Sequence, residues 1–91
     1  MSKECLKEFF KICYNKECTE NQFKVFCDLL KELSEKDYAV ILDYCSFAGT
    51  NKEIIESVAK KYQVSDDVIS ETIKRVRITM HHPVRMSKIF G

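Results

Sequence analysis

The sequence has little glycine and proline, with two Gly and one Pro among 91 residues. Folds built from many tight turns use both residue types often. Their scarcity therefore argues against a many-turned β-fold and favours helices joined by short connections. Hydrophobic residues make up 45% of the chain, which suits the core of one small domain and argues against disorder.

Long apolar runs and a strong charge of one sign are also missing. No stretch approaches the roughly 20 apolar residues of a membrane span, and no apolar segment follows a basic start as in a signal peptide. We therefore expect a cytoplasmic protein without a membrane partner, and an odd number of cysteines (five) fits that compartment. The net charge of +1 is not that of a strongly basic nucleic-acid binder.

The sequence contains no strong motif for catalysis or for metal binding. No glycine-rich phosphate loop, Cys-His nucleophile or paired carboxylates stand out, so we expect no enzyme and no cofactor. The side chains considered as zinc ligands are Cys13, Cys18, Cys27, Cys45, His81 and His82. Their spacing lacks the paired knuckle in which two residues separate the ligands, so we predict no metal site. His81 and His82 are instead expected to cap the C-terminus of a helix.

Apolar residues recur with helical spacing along five segments. Helix starts are predicted at hydroxyl side chains, with capping boxes where Gln or Glu follows three positions later; these are Thr19 with Gln22, Ser34, Thr50 with Glu53, and Ser65. Gly49 is the predicted stop of the third helix. Pro83 ends the fifth, because a residue before proline disfavours the α region, and residues 84–91 are expected to add one turn.

These elements predict an all-α fold, a compact bundle of about five helices. We expect a single domain over residues 1–91, in which helices of residues 1–33 pack on the part formed by residues 34–91. The early helices carry four aromatic side chains, Phe9, Phe10, Phe23 and Phe26. These either complete one core or form a surface for a partner, including a second copy of the chain in a homo-oligomer.

Residues 54–85 carry the most informative pattern, a short amphipathic helix, a tight connection and a longer helix. A helix-turn-helix needs this order, since the first helix supports the second and the second presents its exposed side to the major groove. Ala59 is small where the helices would cross, and Val64 would fill the gap between them. The predicted inner face of the second helix is Ile69, Ile73, Val76 and Met80. An ordinary helical hairpin would show the same pattern.

The same region resembles region 4, the C-terminal domain of sigma-70 family factors, over about residues 30–88. Residues 33–44, Leu-Ser-Glu-Lys-Asp-Tyr-Ala-Val-Ile-Leu-Asp-Tyr, are similar to its opening helix. Residues 54–65, Ile-Ile-Glu-Ser-Val-Ala-Lys-Lys-Tyr-Gln-Val-Ser, are similar to its first motif helix and turn. His82-Pro83-Val84-Arg85 resembles the His-Pro-Ser-Arg that follows the recognition helix, and the intervening spacing matches without insertion.

The resemblance implies a role in transcription, in which a recognition helix from Asp66 to about Met80 reads promoter DNA and the same domain docks on RNA polymerase. Together with the distribution of positive charge, it gives these candidate DNA-binding residues: Ser65, Ser70, Lys74, Arg75, Arg77, Arg85 and Lys88. The helix start departs from the family, because Asp66, Asp67 and Glu71 would face a polyanion. The first two also suit the first turn of any helix.

Two functions follow as expectations. In the first, the protein is a transcription-associated DNA-binding protein that contacts double-stranded DNA, RNA polymerase or both. In the second, it is a protein-interaction module on the same fold, which binds RNA polymerase or a sigma factor without reading DNA. The acidic start of the recognition helix motivates the second.

Overall fold

The computed structural model describes the backbone of residues 3–91 and the side chains of residues 5–91, and every regular element in this range is an α-helix. In chain order the elements are α1 (Lys3–Tyr14), α2 (Glu20–Lys31), α3 (Glu35–Ser46), α4 (Asn51–Tyr62), α5 (Asp66–Met80) and α6 (Pro83–Phe90). The predicted all-α class is confirmed. Residues 3–91 contain six helices rather than the five expected, because the C-terminal tail forms an eight-residue helix where one turn was expected.

Hydroxyl side chains determine where three of the helices begin. Thr19 and Thr50 each form a reciprocal capping box with the residue three positions later. Ser34 caps α3, since its Oγ accepts a hydrogen bond from the backbone N–H of Asp37 at 3.2 Å. These predicted caps are confirmed. Ser65 occupies the predicted N-cap position of α5, but its side chain makes no capping hydrogen bond.

Gly49 does not end α3, so that prediction was wrong. The helix ends at Ser46, and Phe47 leaves it with an extended backbone (φ −82°, ψ 145°). The prediction relied on the preference of glycine for the left-handed residue that closes many helices, and α3 ends without such a residue. Gly49 lies further along, in the loop before Thr50, where its φ of +127° suits a residue without a Cβ.

The buried side chains form one hydrophobic core to which all six helices contribute. Phe9, Phe10 and Phe26 are fully buried, and Phe23 is 8% exposed. The rings of Phe10 and Phe26 meet edge to face with centroids 5.1 Å apart, a geometry that the aromatic quadrupole favours. The N-terminal helices therefore complete the core, and the alternative that these four aromatic side chains form a partner or dimer surface is wrong.

α3 is the central helix and packs against α1, α2, α4 and α5. Its Ile41 is fully buried, and the neighbouring Val40 is 1% exposed. A helix surrounded by four others buries more than one stripe, so an amphipathic pattern alone underestimates its buried surface. α4 and α5 pack on each other and on α3, which creates the three-helix unit that carries the candidate site.

Candidate nucleic-acid interface

The junction between α4 and α5 consists of Gln63, Val64 and Ser65. α4 ends because Gln63 adopts the left-handed conformation (φ 57°, ψ 45°), after which the N–H of Val64 donates to the carbonyl of Ala59 at 3.0 Å. Ala59 is 2% exposed, and Val64 packs partly buried against the core. The tight connection and the interhelical positions expected for these two residues are therefore present.

The buried face of α5 comprises Ile69, Ile73, Val76 and Met80, as predicted, together with Thr72. At about 100° per residue, the opposite side of the helix carries a different set of side chains. This solvent stripe consists of Asp67, Glu71, Lys74 and Ile78, all of them exposed. The surface that α5 offers to solvent is therefore acidic in its first half and mixed basic and apolar in its second.

The predicted DNA contacts at the start of α5 are the exposed hydroxyls of Ser65 and Ser70. Hydroxyl groups can donate to phosphate oxygens and to base edges. The carboxylates of Asp66 and Asp67 are exposed in the same first turn, where they complement the positive end of the helix dipole. This end of α5 therefore combines suitable donors with two groups that repel phosphate.

Arg75 and Arg77 are both exposed, but their spacing places them roughly 160° apart around the helix. The Nη2 atom of Arg75 forms an ion pair with the carboxylate of Asp37 on α3 at 2.7 Å. The Nη2 atom of Arg77 donates to the carbonyl of Ile12 on α1 at 3.3 Å. Lys74 lies exposed on the side of Arg77 and lines a groove with it. The structure thus divides the α5 cations between two sides of the helix.

The remaining predicted cations belong to α6. Lys88 is exposed on its outer surface, beside Val84. Arg85 is only partly exposed, and its Nε is buried without a hydrogen-bond partner in the described part of the chain. Burial, followed by the neighbouring Cys13 thiol, raises the pKa of Tyr14, and the charge of Arg85 opposes part of that increase. Arg85 therefore lies near enough to Tyr14 for its charge to act on that hydroxyl.

The end of α5 is attached to the end of α1, a feature that the sequence did not predict. The hydroxyl of Tyr14 donates to the carbonyl of Met80 at 2.7 Å in a buried hydrogen bond. A ring nitrogen of His81 contacts the carbonyl of Cys13. With the bond from Arg77 to Ile12, three contacts join these helix ends, and they fix the position of the second half of α5.

His81 and His82 have different roles at the break before Pro83. His81 occupies the C-cap of α5, as expected. His82 instead caps the N-terminus of α6, because its Nδ1 accepts from the backbone N–H of Val84 at 3.2 Å. The expectation that His82 caps the preceding helix was therefore wrong. Pro83 at the first position of a new helix makes the residue before it an N-cap.

No disulfide joins two cysteines within residues 5–91. Burial raises the pKa of both Cys13 and Cys45 to about 12, so these two side chains are neutral near pH 7 and lack the thiolate that binds metals or attacks substrates. Among the side chains of residues 5–91, no group of three or more His, Cys, Asp or Glu is arranged to hold a metal ion. No helix within residues 3–91 is long and apolar enough to cross a membrane.

Comparisons of the chain with protein-family models, curated proteins and solved structures found no match. Functional inference therefore depends on the sequence resemblance and on the surfaces around α5. Those surfaces are the first turns of α5 with their hydroxyls and carboxylates, the side on which Arg75 pairs with Asp37 of α3, and the side that Lys74 shares with Arg77.

Proposed function

We propose that this protein is a cytoplasmic, transcription-associated protein whose α3–α5 unit acts as a helix-turn-helix and contacts double-stranded DNA, RNA polymerase or both. The observation that carries the proposal is the junction at Gln63, where a left-handed residue ends α4 and α5 starts after three connecting residues, both helices packing on α3. The odd number of cysteines (five) fits a reducing cytoplasm.

In the DNA-binding form, α5 enters the major groove with its N-terminal half. Ser65 and Ser70 would supply neutral donors, and Lys74 would neutralise a phosphate further along the helix. Asp67 itself could read a base only where its carboxylate accepts a hydrogen bond, as from the N4 amine of cytosine. Phosphate contacts therefore supply most of the affinity, and base discrimination contributes less.

Arg75 remains available to DNA despite its ion pair with Asp37. Its side chain is 58% exposed. A guanidinium has five N–H donors, and the contact with Asp37 leaves most of them available. Asp37 is only 19% exposed, so a phosphate would bind Arg75 through its remaining N–H donors while the ion pair stays in place. Arg77 and Lys88 would add backbone contacts at the C-terminal end of α5 and on α6, and Arg85 would contribute least because of its burial.

Chemical-shift mapping tests this form. The ¹⁵N-labelled chain is titrated with duplex DNA at low salt, and the amides of α5 from Ser65 to Ile78 should shift while those of the outer face of α2 stay in place. Non-specific DNA affinity, with Kd values typically of about 10⁻⁴–10⁻⁶ M at physiological salt, is sufficient for detection. An unchanged spectrum at saturating DNA would reject DNA binding by this helix.

A second candidate function is a protein-interaction module that binds RNA polymerase or a sigma factor without reading DNA. The acidic first half of α5 favours it, since Asp67 and Glu71 face solvent and would repel phosphate. Purified bacterial core polymerase and its main sigma factor, each passed over the immobilised chain, provide the test. Retention that is lost in a variant with Asp67→Asn and Glu71→Gln supports this function, and passage of both proteins without retention contradicts it.

A further inference from the structure

Three exposed side chains in the first two turns of α5 cannot hold a phosphate. Asp67 and Glu71 are carboxylates that form no ion pair with any cation of residues 5–91, and Val68 is an apolar side chain that is 43% exposed. The neighbouring Thr72 is buried, and its hydroxyl donates to the carbonyl of Val68 at 2.9 Å. Val68 is therefore the group that this edge of the helix offers to an apolar contact.

Two cations accompany Val68 on the side of α5 that faces α3. Arg75 follows Val68 by seven residues, which places the two side chains about 20° apart around the helix and about 10 Å apart along it. Lys36 of α3 lines the same surface groove as Val68 and Arg75, and both cations are exposed. A DNA backbone held by Lys36 and Arg75 would therefore pass beside Val68, with its bases on the side of the α5 solvent stripe.

We infer that Val68 reads the C5-methyl group of thymine in the major groove. This contact rests on the proposed DNA-binding function and adds a base-specific element to it. The C5-methyl is the apolar group that base edges present in the major groove, and burial of it against an aliphatic side chain is favourable. The carboxylates of Asp67 and Glu71 can accept from the N4 amine of cytosine. The start of α5 therefore suits a strand in which thymine neighbours cytosine.

Replacement of thymidine by deoxyuridine removes this methyl group and leaves the base pairing unchanged. The probes are two labelled duplexes of about 20 base pairs, roughly two turns of DNA. In the first, cytosine and thymine alternate along one strand, and in the second uracil takes the place of every thymine. Fluorescence anisotropy with the full chain at low salt should show about fourfold weaker binding to the uracil duplex, the loss expected for one buried methyl group.

Two variants assign the preference to a side chain. Val68→Ala withdraws the methyl groups that would cover the thymine, so this variant should bind the two duplexes equally. Val84→Ala is the matched control, because it makes the same change at a valine on α6 that is 57% exposed. It should retain the full preference for thymine over uracil.

Failure of this inference and failure of the proposed function give different results. Equal affinity of the wild-type chain for the two duplexes overturns the inference alone, and so does a thymine preference that persists in Val68→Ala or disappears in Val84→Ala. DNA binding then depends on other contacts, and Val68 is an ordinary exposed apolar side chain. Undetectable binding to both duplexes at low salt contradicts the DNA-binding function itself, and the inference with it.

Discussion

The hydroxyl of Tyr14 and the carbonyl of Met80 form a buried 2.7 Å hydrogen bond that joins the last residue of α1 to the last residue of α5. The final carbonyls of a helix have no partner within it, so Tyr14 satisfies a group that the helix cannot. The end of the candidate recognition helix is thus held by a residue outside the segment that resembles region 4.

Replacing Tyr14 by Phe should lower the free energy of unfolding by about 1–3 kcal/mol, because the substitution leaves the carbonyl of Met80 buried without a donor. Urea denaturation at neutral pH measures the change. Tyr38→Phe is the control, since Tyr38 is a partly buried tyrosine at the core boundary, and it should change stability less. Equal effects of the two variants would show that the buried hydrogen bond contributes nothing specific.

The aromatic core should respond strongly to truncation. Phe10 is fully buried, and Phe10→Ala should cost about 3–5 kcal/mol through lost burial and the cavity that remains. Phe47→Ala removes the same atoms at a site that is 38% exposed and should cost much less. Thermal unfolding followed by circular dichroism compares the two, and similar losses of Tm would contradict the assignment of Phe10 to the core.

The left-handed backbone of Gln63 predicts a stabilising substitution. A residue with a Cβ is strained in this conformation, which glycine adopts freely. Gln63→Gly should therefore raise the free energy of unfolding by about 0.5–1 kcal/mol. Gln63→Ala is the matched control, because it removes the side chain but keeps the Cβ, and it should give no gain. If alanine stabilises as much as glycine, the backbone conformation is not the cause.

Asp43 joins α3 to α4 and should make stability depend on pH at both extremes. Its carboxylate accepts hydrogen bonds from Lys61 at 2.8 Å and from the hydroxyl of Tyr62. Desolvation raises the pKa of Asp43, but these bonds and the charge of Lys61 outweigh it and lower the pKa overall. The hydrogen bond to Asp43, followed by burial, raises the pKa of Tyr62 to about 12.

The lowered pKa of Asp43 gives stability that is present above the unfolded-state value of about 4 and is lost as the pH falls through the folded-state pKa. The raised pKa of Tyr62 gives stability that is present below about pH 10 and is lost as the pH rises through the folded-state value. Asp43→Asn should therefore cost about 1 kcal/mol between roughly pH 5 and 10. Its deficit relative to wild type should shrink outside this window, and a deficit independent of pH would contradict the assignment.

Much of the fold could be predicted from local sequence. The buried face of α5 and the caps at Thr19, Ser34 and Thr50 follow from side-chain periodicity and short-range hydrogen bonds, both of which the sequence displays directly. The errors at Gly49 and His82 have a common origin. Each residue type suits more than one position at a helix boundary, and only the conformation of the following residues decides between them.

Whether the candidate site residues are free to contact DNA could not be predicted in the same way. Helical phase predicted that Arg75 and Arg77 would be exposed, but their partners Asp37 and Ile12 lie 38 and 65 residues away in sequence. Such contacts depend on how α1 and α3 pack against α5.

The dependence of duplex DNA affinity on salt tests the central claim most directly. If α5 contacts DNA, the logarithm of the association constant should fall linearly with that of the salt concentration, with a slope of about −0.9 per phosphate contact. Lys74→Gln should make the slope shallower by about 1, whereas Lys24→Gln, an exposed lysine on α2, should leave it unchanged. Undetectable binding at low salt, or equal slopes for the two variants, would contradict DNA contact through α5.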